Sequence, residues 1–365
     1  MKIGILGTRG IPNAYGGFEQ FAQYLALGLF QKGYEVYVYN SSEHPYREKE
    51  WNGIHIIHCR DWEKRIGTAG QFIYDYNCFR DAAGRDFDVL LQLGYTSNSI
   101  WHRSWPRKAI NVINMDGLEW KRSKYNKLTR KFLRLAERWA VKYGNILIAD
   151  SMGIREYIQD QYGRSSIYIP YGADIPAVFD AEVPGRYGLV PGGYYLLMAR
   201  MEPENNIEMI LRGWMASKKT KPMVLIGNPG NSFGSYLVRT YRHEKLHFIG
   251  AIYEAEVINS LRHYSSVYLH GHSVGGTNPS LLEAMACGCA IAAHDNPFNK
   301  AILEKDAGYF STVQEVTSLL DLAPDEALIG ERKRNNLLKI RSTYNWHKII
   351  GDYEKVFTEA LSLTP

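Results

Sequence analysis

The 365-residue chain contains only four cysteines, Cys59, Cys78, Cys287 and Cys289. Cys287-Gly-Cys289 has neither zinc-knuckle nor redox CxxC spacing, and no second cluster completes a site, so all four are read as reduced, mostly buried thiols. No apolar run approaches the length of a membrane span. The N-terminal MKIGILGTRG runs directly into a strand and a glycine-rich turn, without a secretory hydrophobic segment of the usual length, so a soluble, cytoplasmic body is expected. Charge of one sign is not in excess: 43 Lys and Arg stand against 38 Asp and Glu, a net +5, which gives no reason to expect nucleic acid as a partner. Also missing are a GxGxxG turn and a DxD-like carboxylate pair followed by a histidine. The first absence argues against a dinucleotide cofactor, and from the second no metal site stands out.

What is present is a regular alternation of strand and helix patterns. Strands are predicted at Lys2–Leu6, Glu35–Tyr39, Ile54–His58, Val89–Leu93, Ala109–Ile113 and Ile146–Ala149. Helices are predicted at 17–32, Ala69–Ala83 and Asn126–Tyr143. Such alternation predicts an α/β fold with a parallel sheet covered on both faces. Between Pro170 and Gly193 prolines and glycines cluster, which marks a domain boundary. The alternation then restarts with strands at Tyr194–Ala199, Met223–Gly227, His247–Gly250, Val267–His270 and Ala290–Ala293. The expected organisation is an N-terminal domain (1–175), a C-terminal domain (190–345) and a final helix (346–365). That helix carries Trp346, Ile350, Tyr353, Phe357 and Leu361 on one face and could pack on either domain. Two such domains are expected to face each other across a cleft, with ligands at the carboxyl ends of the strands.

The chemistry-bearing residues fall at those strand ends. His270–Cys289, HGHSVGGTNPSLLEAMACGC, is a glycine- and hydroxyl-rich loop leading into a helix that starts at Asn278-Pro279. Its free N–H groups and dipole favour an anion, and Glu283, one turn in, could accept sugar hydroxyls. Gly276, Thr277, Asn278, Pro279 and Glu283 are thus candidate contacts for a nucleotide-sugar. Arg200 ends a strand and can fork onto a phosphate, unless Glu202 or Glu204 pairs with it. Asn205, Gly227, Asn228 and Tyr253 lie on neighbouring strand-end turns, Tyr253 as a stacking platform. In the first half, the loop Gly7–Tyr15 ends on Gly16-Gly17, whose bare backbone suits a diphosphate or sugar approaching closely, though helix–strand packing would also use it. Tyr15 and Glu19 on that loop, and Glu119 after the fifth strand, are candidate acceptor contacts. Asp116, before Gly117, is a candidate catalytic or acceptor-binding residue with Glu119 as its rival, although a single Asp there more often makes an Asx-turn or a helix cap.

From Lys121 to Lys142 nine basic residues face one acidic residue, Glu137. Leu128, Phe132, Leu135 and Trp139 form an apolar stripe beside Lys127, Lys131, Arg134 and Arg138. This is the pattern of a helix lying on an anionic membrane surface, or of a solvated face on a core helix.

Together TRGIPNAYGGFEQ, IPYGAD, ARMEPENN and GTNPSLLEAMACG resemble retaining GT-B glycosyltransferases of family four. Within them the chain is most similar to the bacterial subgroup that includes rhamnosyltransferases of capsule and cell-wall polysaccharide assembly. The resemblance implies two Rossmann-like domains, a dTDP- or UDP-sugar donor, a lipid-linked saccharide acceptor at the inner membrane face, retention of configuration and no required metal. It carries Arg200 and Glu283 over as diphosphate and sugar contacts. Two family positions differ: Gly275 stands where a second Glu is usual, and Asn205 where a Lys is usual. The rival readings are a nucleotide-sugar epimerase of the same fold, with His270 and His272 as acid–base candidates, and a non-catalytic nucleotide-sugar sensor.

Overall fold

The computed structural model describes residues 1–122, 125–218 and 220–363. They form two compact units, Met1–Gly172 with Trp346–Pro365, and Ala173–Asn345.

The first unit is built on an eight-stranded sheet of β1 (Lys2–Leu6), β2 (Glu35–Ser41), β3 (Glu50–Trp51), β4 (Ile54–Cys59), β5 (Val89–Leu93), β6 (Ile110–Asn114), β7 (Ile146–Ala149) and β8 (Ile167–Tyr168), in the order β3-β4-β2-β1-β5-β6-β7-β8. All neighbours pair in parallel except β3 with β4. Every residue of β5 and β6 is buried, as a parallel sheet covered on both faces requires. Strand β6 begins one residue later than the apolar pattern suggests and continues through Asn114, which is buried. The connecting helices are α1 (Gly17–Gln31), α2 (Glu63–Ile66), α3 (Ala69–Ala82), α4 (Lys127–Tyr143) and α5 (Met152–Tyr162). Asn126 and Ser151 cap the starts of α4 and α5 by accepting from Thr129 and Ile154 N–H.

Helix α4 corrects the sequence reading of its faces. Its buried side is Leu133, Ala136, Glu137, Ala140 and Val141. Phe132 and Trp139 are half-buried against Phe72 and His102. Leu128 is 77% exposed and Leu135 41%. They stand among exposed Lys127, Lys131, Arg134, Arg138 and Lys142. The stripe read as one apolar face is thus split between core edge and solvent. Lys124 of the basic segment lies outside the described residues.

The second unit carries a fully parallel six-stranded sheet of β9 (Tyr195–Met198), β10 (Met223–Ile226), β11 (Leu246–Phe248), β12 (Val267–His270), β13 (Ile291–His294) and β14 (Gly308–Phe310), in the order β11-β10-β9-β12-β13-β14. Its helices are α6 (Val183–Arg186), α7 (Ile207–Ala216), α8 (Ser232–Thr240), α9 (Ala255–His263), α10 (Pro279–Ala286), α11 (Pro297–Leu303), α12 (Val313–Asp321) and α13 (Glu326–Ser342). A core of Leu197, Ile210, Trp214, Leu225, Leu269 and Phe310 packs sheet against helices. Strand β14 and helices α11–α13 extend the alternation past Ala293, where the sequence pattern fades.

The last helix, α14 (Trp346–Ser362), belongs with the first unit and packs on α1. Trp346 stacks on Tyr24 at 4.5 Å, and Phe21 meets Tyr353 at 5.4 Å. Glu354 accepts from Lys32 Nζ at 2.7 Å and Tyr34 OH at 2.8 Å. A Cβ on Gly28 would sit 2.3 Å from Ile350 Cδ1, so the glycine lets the two helices approach.

Two outcomes follow. Gly28→Val should destabilise the protein by about 1–3 kcal/mol in urea denaturation. Adding Ile350→Ala should cost less than the two single changes summed, because it makes room for the new side chain. The second outcome concerns Asp75 on α3, fully buried with Oδ1 unpartnered among the described residues. Burial pushes its pKa up to about 7, with Asp61 adding to the rise and Ser97 and Arg9 opposing it. The unfolded chain ionises near 4 while the folded one holds the proton, so this group's contribution falls as pH rises from about 4 to about 7. Asp75→Asn should leave stability at pH 4 nearly unchanged and raise it at pH 8 by a few kcal/mol at most, roughly 1.4 kcal/mol per pH unit of the window. Denaturation at the two pH values checks this.

Candidate functional site

In the second unit the chain steps from β9 outward to β10 and β11, then returns to place β12 on the other side of β9. The carboxyl ends of β9 and β12 therefore flank a topological switch point, where open parallel sheets leave a crevice for ligands. The loops leaving these strands are stitched together. Asn206 Nδ2 donates to the Gly271 carbonyl at 2.8 Å, and Ser273 Oγ donates to the Glu204 carbonyl at 2.7 Å. A Cβ on Gly271 would fall 2.1 Å from the Asn205 carbonyl oxygen, so only glycine permits this approach. From the far side, Asn296 and Asn299 donate to the His272 carbonyl at 3.0 and 3.1 Å.

Arg200 leaves β9 exposed, and among the described residues no carboxylate forms an ion pair with it. The pairing with Glu202 or Glu204 weighed above is not made, so the guanidinium is available to a phosphate. Asn205, expected as a donor contact, is buried and gives its amide to the Arg200 carbonyl at 2.7 Å. It shapes the loop that presents Arg200. Helix α10 starts as the sequence predicts: Asn278 Oδ1 accepts from Ser280 N–H at 2.9 Å, and Pro279 opens the helix. Gly275 has φ 126° with open space where a Cβ would be, so the backbone before Gly276 and the buried Thr277 requires glycine. Glu283 is 27% exposed and paired with Arg262 at 2.6 Å.

Arg262 is a site residue the sequence reading missed. It lies on the apolar face of α9 with Ile258 and Leu261, where a charge breaks the helical pattern, and that break was the available signal. Gly227 N–H donates to the Gly250 carbonyl at 2.9 Å, and a Cβ there would lie 2.2 Å from the Ala199 carbonyl oxygen. Asn228 is exposed and closes an Asx-turn on Gly230 N–H. Tyr253 is largely exposed, leaving its ring open to stacking. His270 is buried, stacked on His272 at 4.5 Å, and neither ring nitrogen has a partner among the described residues. Burial, then His272, Arg262 and His294, hold its pKa well below the ordinary histidine range, so it is neutral at physiological pH.

In the first unit the Gly7–Tyr15 loop is held from below. Asn40 accepts from Ile11 N–H at 3.0 Å and donates to its carbonyl at 2.7 Å. Tyr74 OH donates to the Thr8 carbonyl. Glu19, expected as an acceptor contact, is buried and takes Arg9 N–H at 2.9 Å. Gly16 is fully extended, and Gly17 opens α1. Arg9 forks onto Glu63 at 3.0 and 2.6 Å and lies 3.9 Å from the centre of the exposed Tyr15 ring. These side chains, with Ser41, His44 and Asp61, line a pocket of about 310 Å³ at the carboxyl ends of β1, β2 and β4.

After β6, Asp116 takes a left-handed conformation at φ 46° and donates its N–H to Asn114 Oδ1. Glu119 is half-buried in an ion pair with Arg122 at 2.6 Å, so its carboxylate is engaged within its own turn. This loop is anchored by Glu137, buried on α4, which accepts from Tyr157 OH at 2.8 Å, Trp120 Nε1 at 3.1 Å, Tyr95 OH at 3.3 Å and Tyr162 OH. Burial and this carboxylate push the Tyr157 phenol up to about 12 and Tyr162 higher still, so both remain donors. Among the described residues, no group of three or more His, Cys, Asp or Glu is placed to hold a metal ion.

Comparison with known proteins finds a match in each unit. Residues 191–339 match the family model described as Glycosyl transferases group 1, and residues 107–174 that described as a domain of unknown function, DUF1972. Residues 191–339, within the second unit, are thus similar to glycosyl transferases group 1. It is 31% identical over 134 residues to an uncharacterized glycosyltransferase of Methanocaldococcus jannaschii, a match covering 33% of this chain and 32% of that relative. Among solved structures, sucrose-phosphate synthase from Thermosynechococcus elongatus superposes with TM-score 0.82 at 15% identity, over 100% of both chains. Anabaena HepE in complex with UDP and glucose gives 0.76 at 13% identity, over 98% of this chain and 100% of that one. An α,α-trehalose-phosphate synthase (UDP-forming) from Burkholderia vietnamiensis gives 0.72 at 14%, over 99% and 100%. The fold is GT-B: two α/β units, the first on a mainly parallel sheet and the second on a fully parallel one.

Proposed function

We propose that the protein is a retaining glycosyltransferase that moves a sugar, with L-rhamnose from dTDP-rhamnose the leading candidate, to a lipid-linked saccharide in cell-surface polysaccharide assembly. The observation that carries the reading is the switch point of the second unit. There an ion-pair-free arginine and the capped start of α10 follow the carboxyl ends of two adjacent strands, β9 and β12, with Glu283 on the first turns of the helix. A nucleoside diphosphate meets both the cation and the positive end of the α10 dipole; Tyr253 offers a stacking face and Glu283 an acceptor for hydroxyls. Arg200 and the helix dipole stabilise the charge that grows on the leaving diphosphate. A phosphate oxygen of that leaving group serves as base for the acceptor hydroxyl on the same face. Gly275, in place of a carboxylate, suits a deoxysugar with fewer hydroxyls to hold. The UDP and UDP-glucose complexes of HepE support a nucleotide-sugar as donor.

The first unit supplies the acceptor side, with the Arg9–Tyr15 pocket and the Asp116 loop as its contacts. Asp116, at a strand end in a left-handed conformation, is the residue we assign to catalysis on this side. The epimerase reading is weakened by His270, which is buried and neutral at physiological pH. A lipid-linked acceptor brings the protein to a membrane surface as a peripheral protein. Helix α4 supports that placement, because it presents two exposed leucines among five exposed cations. No helix among the described residues is long and apolar enough to cross a membrane.

Incubation with dTDP-, UDP- and GDP-sugars, with and without a diphospholipid-linked GlcNAc acceptor, should give nucleotide release that depends on the acceptor. Arg200→Ala should lower kcat by about 10²–10³-fold. Acceptor-independent isomerisation would instead mean an epimerase, and binding without turnover a sensor. In liposome sedimentation the protein should bind vesicles containing anionic phospholipid, and Lys131→Glu with Arg138→Glu should release it while leaving turnover of a water-soluble acceptor unchanged. Equal binding to neutral vesicles would refute the electrostatic contact.

A further inference from the structure

Arg262 has no surface role: its side chain is 2% exposed. One terminal nitrogen, Nη2, donates to Glu283 Oε2 at 2.6 Å and Ser280 Oγ at 3.1 Å, and lies 3.3 Å from Met198 Sδ. Ser280 Oγ is held from the other side by Tyr268 OH at 2.8 Å. Met198 ends β9, Tyr268 lies on β12, and Ser280 and Glu283 stand on the first turns of α10. The guanidinium therefore sits behind the switch point and joins the elements that shape the donor crevice. Burial alone would lower its pKa, but Glu283, then Tyr268, outweigh it and raise the value, so the charge stays fixed.

The two partners are not equivalent. Glu283 keeps 27% of its side chain in solvent, whereas Arg262 keeps almost none. Removing the arginine leaves a carboxylate that water can reach. Removing the carboxylate strands a buried cation, which is the costlier change. A buried ion pair is commonly no more stabilising than an apolar side chain of similar volume. What arginine adds over such a side chain is direction: it aims Glu283 and Ser280 in one fixed geometry.

We propose that Arg262 is a positioning residue for the donor nucleotide. It never touches the ligand, but it fixes from behind the carboxylate and hydroxyl that α10 presents to the nucleotide-sugar's hydroxyl groups. This rests on the nucleotide-sugar reading above.

The test uses the full chain, with UDP and dTDP as probes in calorimetric titration, thermal melting as the control for folding, and KM measured for donor and acceptor separately. Arg262→Met should melt within a few degrees of the parent, bind nucleotide about tenfold more weakly, raise the donor KM and leave the acceptor KM unchanged. Arg262→Lys, which keeps the charge without the planar fork, should fall between the two. In a Glu283→Gln background, Arg262→Met should cause little further loss. A folded Arg262→Met with parental affinity would overturn the proposal, as would an equal loss in both backgrounds. Should the methionine variant not fold, parental affinity in Arg262→Lys overturns it and intermediate affinity supports it. A parent that binds neither nucleotide refutes the donor reading itself, which is a distinct result.

Discussion

Parallel strands cannot be joined by tight turns. Each must return through a crossover, so all carboxyl ends of a parallel sheet lie along one edge. This constraint organises both units, where every ladder except β3 with β4 is parallel. It places the β1 and β6 loops at one edge of the first sheet, and the β9, β10, β11 and β12 loops at one edge of the second. The topology delivers the loop ends there, and local turns such as left-handed Asp116 and positive-φ Gly275 only shape them.

The same constraint creates a difficulty. Loops leaving adjacent strand ends carry backbone polar groups out of the ladder, and buried ones need partners. Asparagine answers this repeatedly, since its side chain carries a donor and an acceptor at the reach of a neighbouring peptide. Asn40 holds Ile11, Asn114 takes Asp116 N–H, Asn205 holds Arg200, Asn206 holds Gly271, and Asn296 with Asn299 holds His272. The strand-end loops are in this way fixed before any ligand arrives, so a ligand binding there has little loop entropy to overcome.

That device also explains where the sequence was legible and where it was not. Strand and helix periods, the Asn278-Pro279 helix start and the exposed Arg200 follow from patterns of residue type along the chain, and the structure has them. The roles of Asn205, Glu19 and Glu119 do not. A polar side chain at a strand end serves equally as a ligand contact or as a clamp on the next loop, and only tertiary neighbours decide. Glu19 faces Arg9 N–H and Glu119 faces Arg122, so both act within the fold. The faces of α4 were misread for a related reason. Half-buried Phe132 and Trp139 and exposed Leu128 and Leu135 share one stripe, and periodicity does not say which of them the rest of the unit covers.

Two buried charges show how exposure separates scaffold from site. Glu137 is enclosed by Tyr95, Trp120, Tyr157 and Tyr162, all neutral donors supplied by the protein, and the group is sealed. Such a cage fixes a loop and asks nothing of a ligand. Arg262 is enclosed as completely, but its counter-charge is not: Glu283 keeps 27% of its side chain in solvent. A protein seeking only stability would gain as much from an apolar side chain at position 262. An open-sided ion pair on the first turns of α10 is instead the arrangement expected where a carboxylate must hold its direction while its outer face meets something that comes and goes.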